Sequence, residues 1–430
     1  MQQPINQAPG AIHAKLTISS STELAHRAII IAALADGVSE ISALPLTPSV
    51  QTQLDALREL GIVTQLDNDT NSCIIAGCNG RLPKQQASVW CGRSKSALRF
   101  LLAACAATSG VIYFDAPIEK RHPNLRDFLN ILIRQGVQLI PSDARKLPFT
   151  LISIDPLQGG EISLPDNLHE QTICALMMVA PFARSAFTFN LNQARHHPAL
   201  DLTIDLMADF GVLAQRVHHG QYIIPVPQRY QAVDYTIEPN FTEAAYLLAA
   251  AAMTGGDISI QACSPSESKQ QNAKFISYLE QMGCQIQKTP AALTLTAPEQ
   301  LTGIEISLPY FSDIFAILAS IATFADSPTY IAHVGKMSRI EYERFIIIKT
   351  ELVKLGIHVE TGDNWMRIFP STPSGTLLKA HDDHIVAKAL ALIGLCTPGV
   401  SIDYAETISD RFSNYFPELN KLAASATVKA

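Results

Sequence analysis

The chain has 430 residues, more than one hydrophobic core usually serves, so two to four domains are expected. Hydrophobic residues make up 47% and charged residues 17%, a balance that excludes a disordered or solvating chain. The net charge of −7, with no run of Lys or Arg, argues against a nucleic-acid scaffold and against a polybasic membrane binder.

From the start of the chain, Met1–Gly10 is polar and lacks the regions of a secretory leader. The longest apolar runs, Ala28–Ala35 and Tyr246–Met253, fall far short of the roughly 20 residues needed to span a bilayer. The eight cysteines form no C-x-x-C pair, and Cys73 and Cys78 are the closest two. They read as buried, reduced thiols of a cytoplasmic protein, with no metal site expected.

The first helix expected is Thr22–Gly37, small, apolar and rich in Ala and Leu. Its pattern recurs at Ser96–Gly110, His169–Phe182, Thr242–Gly256, Ser312–Ala325 and Asp383–Leu395, with starts 74, 73, 73, 70 and 71 residues apart. Thr22, Thr242, Ser312 and Asp383 are the expected N-caps. Apolar on nearly all sides, these helices should be buried. A second helix type alternates with them and ends at Gly61, Gly136, Gly211, Gly283 and Gly356, spaced 75, 75, 72 and 73 residues. Each has an apolar last turn closed by a glycine suited to the left-handed C′ position. Strands are expected at Val111–Phe114, Phe149–Ile152, Ile258–Ile260, Ile357–Glu360 and Val400–Ile402. The reading is an α/β protein of six units, arranged as two domains of three.

That repeat has a chemical consequence. If equivalent buried helices run parallel, their N-terminal ends converge, each with about half a positive charge and free N–H groups. Such ends attract small anions. Polar and ionisable residues gather at these same helix starts: Thr22-Glu23 with His26-Arg27, Gly92 to Arg99, His169 to Gln171, Asp313, and Asp383-His384; Glu341-x-x-Arg344 joins them in the sequence pattern.

Carried on these residues, the whole chain resembles the 5-enolpyruvylshikimate-3-phosphate synthase family. The resemblance implies a two-domain enolpyruvyl transferase fold of six βαβαββ repeats, three per domain and inverse α/β barrel-like. Residues 1–20 plus 236–430 would form one domain and 21–235 the other, with an active-site cleft between them. It further implies small anionic substrates, shikimate 3-phosphate and phosphoenolpyruvate, with no cofactor, no metal, no nucleic acid and no membrane, in a monomer. By the same resemblance Asp313 contacts the substrate hydroxyl and transfers a proton. Glu341 lies beside the transferring group, His384 belongs to the catalytic set, and Arg344 binds phosphoenolpyruvate. Arg27 and Gln171 hold the shikimate moiety.

Several ligand-facing positions carry other residues than the family's. Thr22 stands for a lysine and Glu23 for a serine. Arg93-Ser94-Lys95-Ser96 replaces Asn-Ala-Gly-Thr, His122-Pro123 replaces Arg-Pro, and His169-Glu170 replaces Ser-Ser. His196-His197-Pro198-Ala199 replaces Ser-Lys-Pro-Tyr, while Ile340, Ile385 and Glu406 occupy cationic positions. Each lost charge-assisted hydrogen bond is worth roughly 1.5–3 kcal/mol, and Arg93, Lys95, Lys120 and Arg121 stand nearby as compensation. Six of the 12 histidines (26, 122, 169, 196, 197, 384) fall at or beside these positions, as acid–base groups or as surface imidazoles. Enolpyruvyl transfer to shikimate 3-phosphate or a related cyclic hydroxy acid, as in aromatic amino-acid synthesis, is the expected activity. Two alternatives stay open: a repurposed relative acting on a shikimate-like acid without phosphoenolpyruvate, and a binding pseudoenzyme. An RNA 3′-phosphate cyclase-like role is disfavoured by the acidic balance.

Overall fold

A computed structural model describes residues 2–122, 124–165, 168–191, 198–218, 220–265, 268–335, 337–403 and 415–426. The chain divides into two compact units, residues 1–19 with 239–430, and residues 20–238.

In the unit of residues 20–238, helices α1 (Thr22–Leu34), α3 (Lys95–Ala107) and α5 (Glu170–Val179) form the centre, with α2 (Pro48–Glu59), α4 (Arg126–Arg134) and α6 (Pro198–Asp209) outside them. The central helices are apolar on every side and pack on one another, so their side chains are buried nearly throughout. The outer helices are amphipathic: α4 buries Phe128, Leu129, Ile131 and Leu132 and exposes the rest. Three four-stranded sheets complete the unit. In one, Gln86–Trp90 lies parallel to Gly110–Asp115, which pairs antiparallel with Phe149–Ser153, and that strand with Gln138–Ile140.

The other unit repeats the plan. Helices α7 (Phe241–Thr254), α9 (Asp313–Ile321) and α11 (His384–Cys396) are central, and α8 (Phe275–Gln281), α10 (Arg339–Lys354) and α12 (Tyr415–Ala424) are outer. It has two four-stranded sheets and one of three strands, in which Gln2–Pro4 pairs with Ser401–Asp403 and that strand with Leu377–Lys379. Each unit has its own hydrophobic core. Among the described residues, no helix is long and apolar enough to cross a membrane.

Each unit contains one sheet that pairs strands far apart along the chain. His13–Thr17, which precedes α1 in sequence, lies parallel to Asp257–Gln261 within the unit of residues 1–19 and 239–430. Tyr235–Thr236, which precedes α7, lies parallel to Val38–Ser42 in the unit of α1. The unit that contains α1 runs from Ser20 to Glu238.

The five repeat glycines adopt the left-handed conformation the sequence requires, with φ of +87°, +100°, +84°, +97° and +84° from Gly61 to Gly356. Three expected N-caps need correction. Thr22 is already helical, and Ser21 caps α1 by accepting from Leu24 N. Asn240, not Thr242, caps α7. Ser312 stands at the cap position of α9 but its hydroxyl makes no cap bond. Asp383 does cap α11, accepting from the N–H groups of Ile385 and Val386 at 2.8 and 3.2 Å.

Candidate active site

In the unit of residues 20–238, the starts of α3 and α5 are tied together by side chains. Arg99 Nη1 donates to Gln171 Oε1 at 3.3 Å, and Gln171 Nε2 donates to Ser96 Oγ at 2.9 Å. His169 caps α5, its Nδ1 accepting from Gln171 N at 3.2 Å, and Glu170 is the first residue of that helix. Beside this cluster Arg27 is fully buried. Its Nε donates to Thr203 Oγ1 (2.8 Å), Nη1 to the Glu23 carbonyl (2.9 Å) and Nη2 to Cys174 Sγ (3.5 Å). Glu23 Oε1 lies 3.0 Å from Nη2, so this half-exposed carboxylate folds back on the guanidinium. The donors expected to hold a ligand are thus engaged inside the unit.

A pocket of about 180 Å³ opens at the start of α3, lined by Arg93, Lys95, Lys120 and His122 together with Gly92, Ser94 and Glu119. Ser94 caps the helix by accepting from Ala97 N, and the N–H groups of Lys95 and Ser96 come before the first intrahelical bond. Three permanent cations and a helix N-terminus face one cavity, a setting for a phosphate or carboxylate. Glu119 pairs with Arg93 at 3.1 Å and offsets part of that charge. Arg121 instead forms a two-pronged pair with Asp115 at 2.9 and 2.8 Å.

In the other unit, Asp313 opens α9. Its Oδ1 accepts from Tyr246 Oη at 2.9 Å and from Lys388 Nζ at 3.2 Å. Burial pushes this carboxyl upward, but Lys388, His384, Arg344 and the Tyr246 hydrogen bond together bring it below the usual aspartate value. Arg344 Nε donates to Asp383 Oδ2 at 3.0 Å and Nη1 to the Phe311 carbonyl at 2.7 Å. Glu341 accepts from Phe311 N (2.9 Å), His333 Nε2 (3.2 Å) and Ser338 N (2.7 Å), the last completing a capping box on α10. Burial raises its pKa, yet the bonds from His333, Ser338 and Phe311 outweigh that and hold it at about 2. Arg344 and Glu341 thus clamp both ends of one residue, Phe311, two positions before Asp313. His384 is the first residue of α11.

The expected residues gather in two sets. Asp313, Glu341, Arg344 and His384 meet around α9, α10 and α11. Arg93, Lys95 and His122 share the pocket at α3, and Thr22, Glu23, Arg27, His169, Glu170 and Gln171 stand at the first turns of α1 and α5. His196, His197 and Glu406 lie outside the described residues. Glu341 is a brace for the loop before α9, with its carboxylate committed to three donors. His26 is likewise structural: its ring contacts Gln53 and Ser49. Burial outweighs the Gln53 bond and lowers its pKa to about 4, so it stays neutral near pH 7.

Lys388, Tyr246 and His333 were not singled out by sequence reasoning. The signal for Lys388 was present: a lone lysine in a helix expected to be buried must meet an anion inside.

Comparison with known proteins agrees with this architecture. The family model for EPSP synthase (3-phosphoshikimate 1-carboxyvinyltransferase) matches residues 6–419. The 3-phosphoshikimate 1-carboxyvinyltransferase of Nostoc punctiforme is 32% identical over 416 residues, covering 95% of this chain and 97% of its own length. The chloroplastic enzyme of the same name from Arabidopsis thaliana is 28% identical over 439 residues, covering 98% and 84%. Among solved structures, EPSP synthase from Acinetobacter baumannii superposes with a TM-score of 0.76 at 18% identity, covering 100% of this chain and 98% of its own. The enolpyruvyl transferase NikO from Streptomyces tendae gives 0.69, also at 18% identity, covering 98% and 97%. Both structures share the fold, and the match over nearly the whole sequence establishes that this chain belongs to the EPSP synthase family.

Proposed function

We propose that this protein transfers the carboxyvinyl group of phosphoenolpyruvate to a hydroxyl of shikimate 3-phosphate or of a closely related cyclic hydroxy acid. The observation that carries the reading is the cation-lined pocket at the start of α3, which offers Arg93, Lys95, Lys120 and backbone N–H groups to a phosphate. In the reaction the acceptor oxygen bonds to the enol carbon of phosphoenolpyruvate and its proton passes to a base. The bond from that carbon to the phosphate oxygen breaks, and inorganic phosphate leaves. Asp313, ionised near neutral pH, is the base. Arg344 and Glu341 position it by fixing the Phe311 loop, and His384 adds charge when protonated.

A second reading has one specific support. Arg27 spends its donors on Thr203, Cys174 and Glu23, which suits a smaller acid processed without phosphoenolpyruvate. Incubating the purified protein with shikimate 3-phosphate and phosphoenolpyruvate separates the two. Phosphate release that needs both compounds, and falls at least about 10²-fold in Asp313→Asn, is the expected result. No release, together with a thermal shift on adding shikimate 3-phosphate alone, would favour the second reading.

A further inference from the structure

Lys388 lies one turn inside α11, among apolar neighbours, with a side chain only 1% exposed. A buried ammonium is tolerated only beside an anion or an electron-rich face. Both are present: Asp313 Oδ1 at 3.2 Å and the Tyr246 ring centroid at 4.2 Å. Tyr246 Oη donates to the same carboxylate oxygen at 2.9 Å. The carboxylate is therefore two-sided. Oδ1 takes both donors, nothing among the described residues donates to Oδ2, and the Asp313 side chain keeps 15% of its exposure.

We propose that Lys388 is the positioning residue for Asp313: it holds the carboxylate ionised and pins Oδ1, so that Oδ2 is the atom presented to the acceptor hydroxyl. The proposal rests on the reading of Asp313 as base. On proton transfer the substrate O–H bond breaks and an O–H bond forms at Oδ2, leaving a neutral acid beside the Lys388 ammonium. No other reactant enters that step.

Other charged groups surround the pair without replacing Lys388. Arg344, from α10, is divided between Asp383 and the Phe311 carbonyl. His384, at the start of α11, adds charge only when protonated. Glu243, on α7, also feels Lys388, but burial keeps its carboxyl raised despite a bond from Ser19. From α12, Tyr415 donates to the Lys388 carbonyl at 2.8 Å, and Glu418 acts on Glu243. Burial and Asp313 push the Tyr246 phenol well above its usual value, so it remains a donor at working pH.

The test uses the full chain labelled with aspartate carrying carbon-13 at the side-chain carboxyl. The Asp313 signal is the one lost in Asp313→Asn. In the wild type it should stay ionised below the usual aspartate range. In Lys388→Met its midpoint should rise by about one pH unit or more, a tenfold change in proton affinity, while Lys388→Arg keeps a low midpoint. An unchanged midpoint in Lys388→Met overturns the proposal, as does a wild-type midpoint at or above the ordinary value. If Lys388→Met does not fold, the double variant with Asp313→Asn, which lacks both charges, should be the more stable of the two; if it is not, the pairing is contradicted. In the phosphate-release assay, Lys388→Met should lower kcat about tenfold with little change in KM and move the acid limb of the profile upward. A wild type that releases no phosphate contradicts the transferase reading, while the titration still decides the role of Lys388.

Discussion

Three central helices carry a cation one turn inside their start: Arg27, Arg99 and Lys388. Each is held by groups from a neighbouring helix, and this is how polar chemistry is kept at the first turns without loosening the core. His26 shows the opposite solution, an imidazole kept neutral by burial. Its pKa is about 4 in the folded chain against 6.5 unfolded, so the unfolded chain binds the extra proton between those values. Stability is therefore complete above about pH 6.5 and falls as pH drops toward 4, by an amount on the order of 3 kcal/mol. Urea unfolding at pH 5 and pH 7 should show this slope in the wild type and a clearly flatter one in His26→Gln. Equal slopes would mean the imidazole is not responsible. The histidines were conspicuous in the sequence, but number alone does not separate a ring bonded to Gln53 from one lining a pocket, as His122 does.

At the scale of elements, both repeat helices were legible because each leaves a local mark. An apolar turn followed by glycine has few outcomes other than a left-handed C′, and all five glycines adopt it. Helix starts were less legible. Ser21 and Thr22 are adjacent and equally able to cap, and only backbone geometry picks Ser21. Asp383 does two jobs, capping α11 and pairing with Arg344, and the two are separable. Asp383→Ala should cost about 2–4 kcal/mol in chemical denaturation, whereas Asp383→Asn, which keeps a capping oxygen, should recover about 1 kcal/mol. Equal losses in the two variants would assign the whole effect to the ion pair.

For the whole molecule, the pairings of His13–Thr17 with Asp257–Gln261 and of Tyr235–Thr236 with Val38–Ser42 were hidden from the sequence, because no local pattern encodes partners so far apart along the chain. They carry a consequence for independent folding. Residues 20–238 contain every strand of their three sheets, including Tyr235–Thr236, and should unfold cooperatively when expressed alone. Residues 239–430 lack Gln2–Pro4 and His13–Thr17, the edge strands of two sheets, and leave Ile5 and Ile12 missing from the core. That fragment should lack a cooperative transition by circular dichroism until a peptide of residues 1–19 is added. A cooperative melt without the peptide would contradict the dependence.

The proposed chemistry is tested most directly on the complete chain. Phosphoenolpyruvate labelled with carbon-13 at the enol carbon is incubated with shikimate 3-phosphate and the protein, and the label is followed by NMR. The label should appear in an enol ether of the acceptor at the rate at which inorganic phosphate forms. A label that remains in phosphoenolpyruvate, with the protein folded and shikimate 3-phosphate bound, would contradict carboxyvinyl transfer.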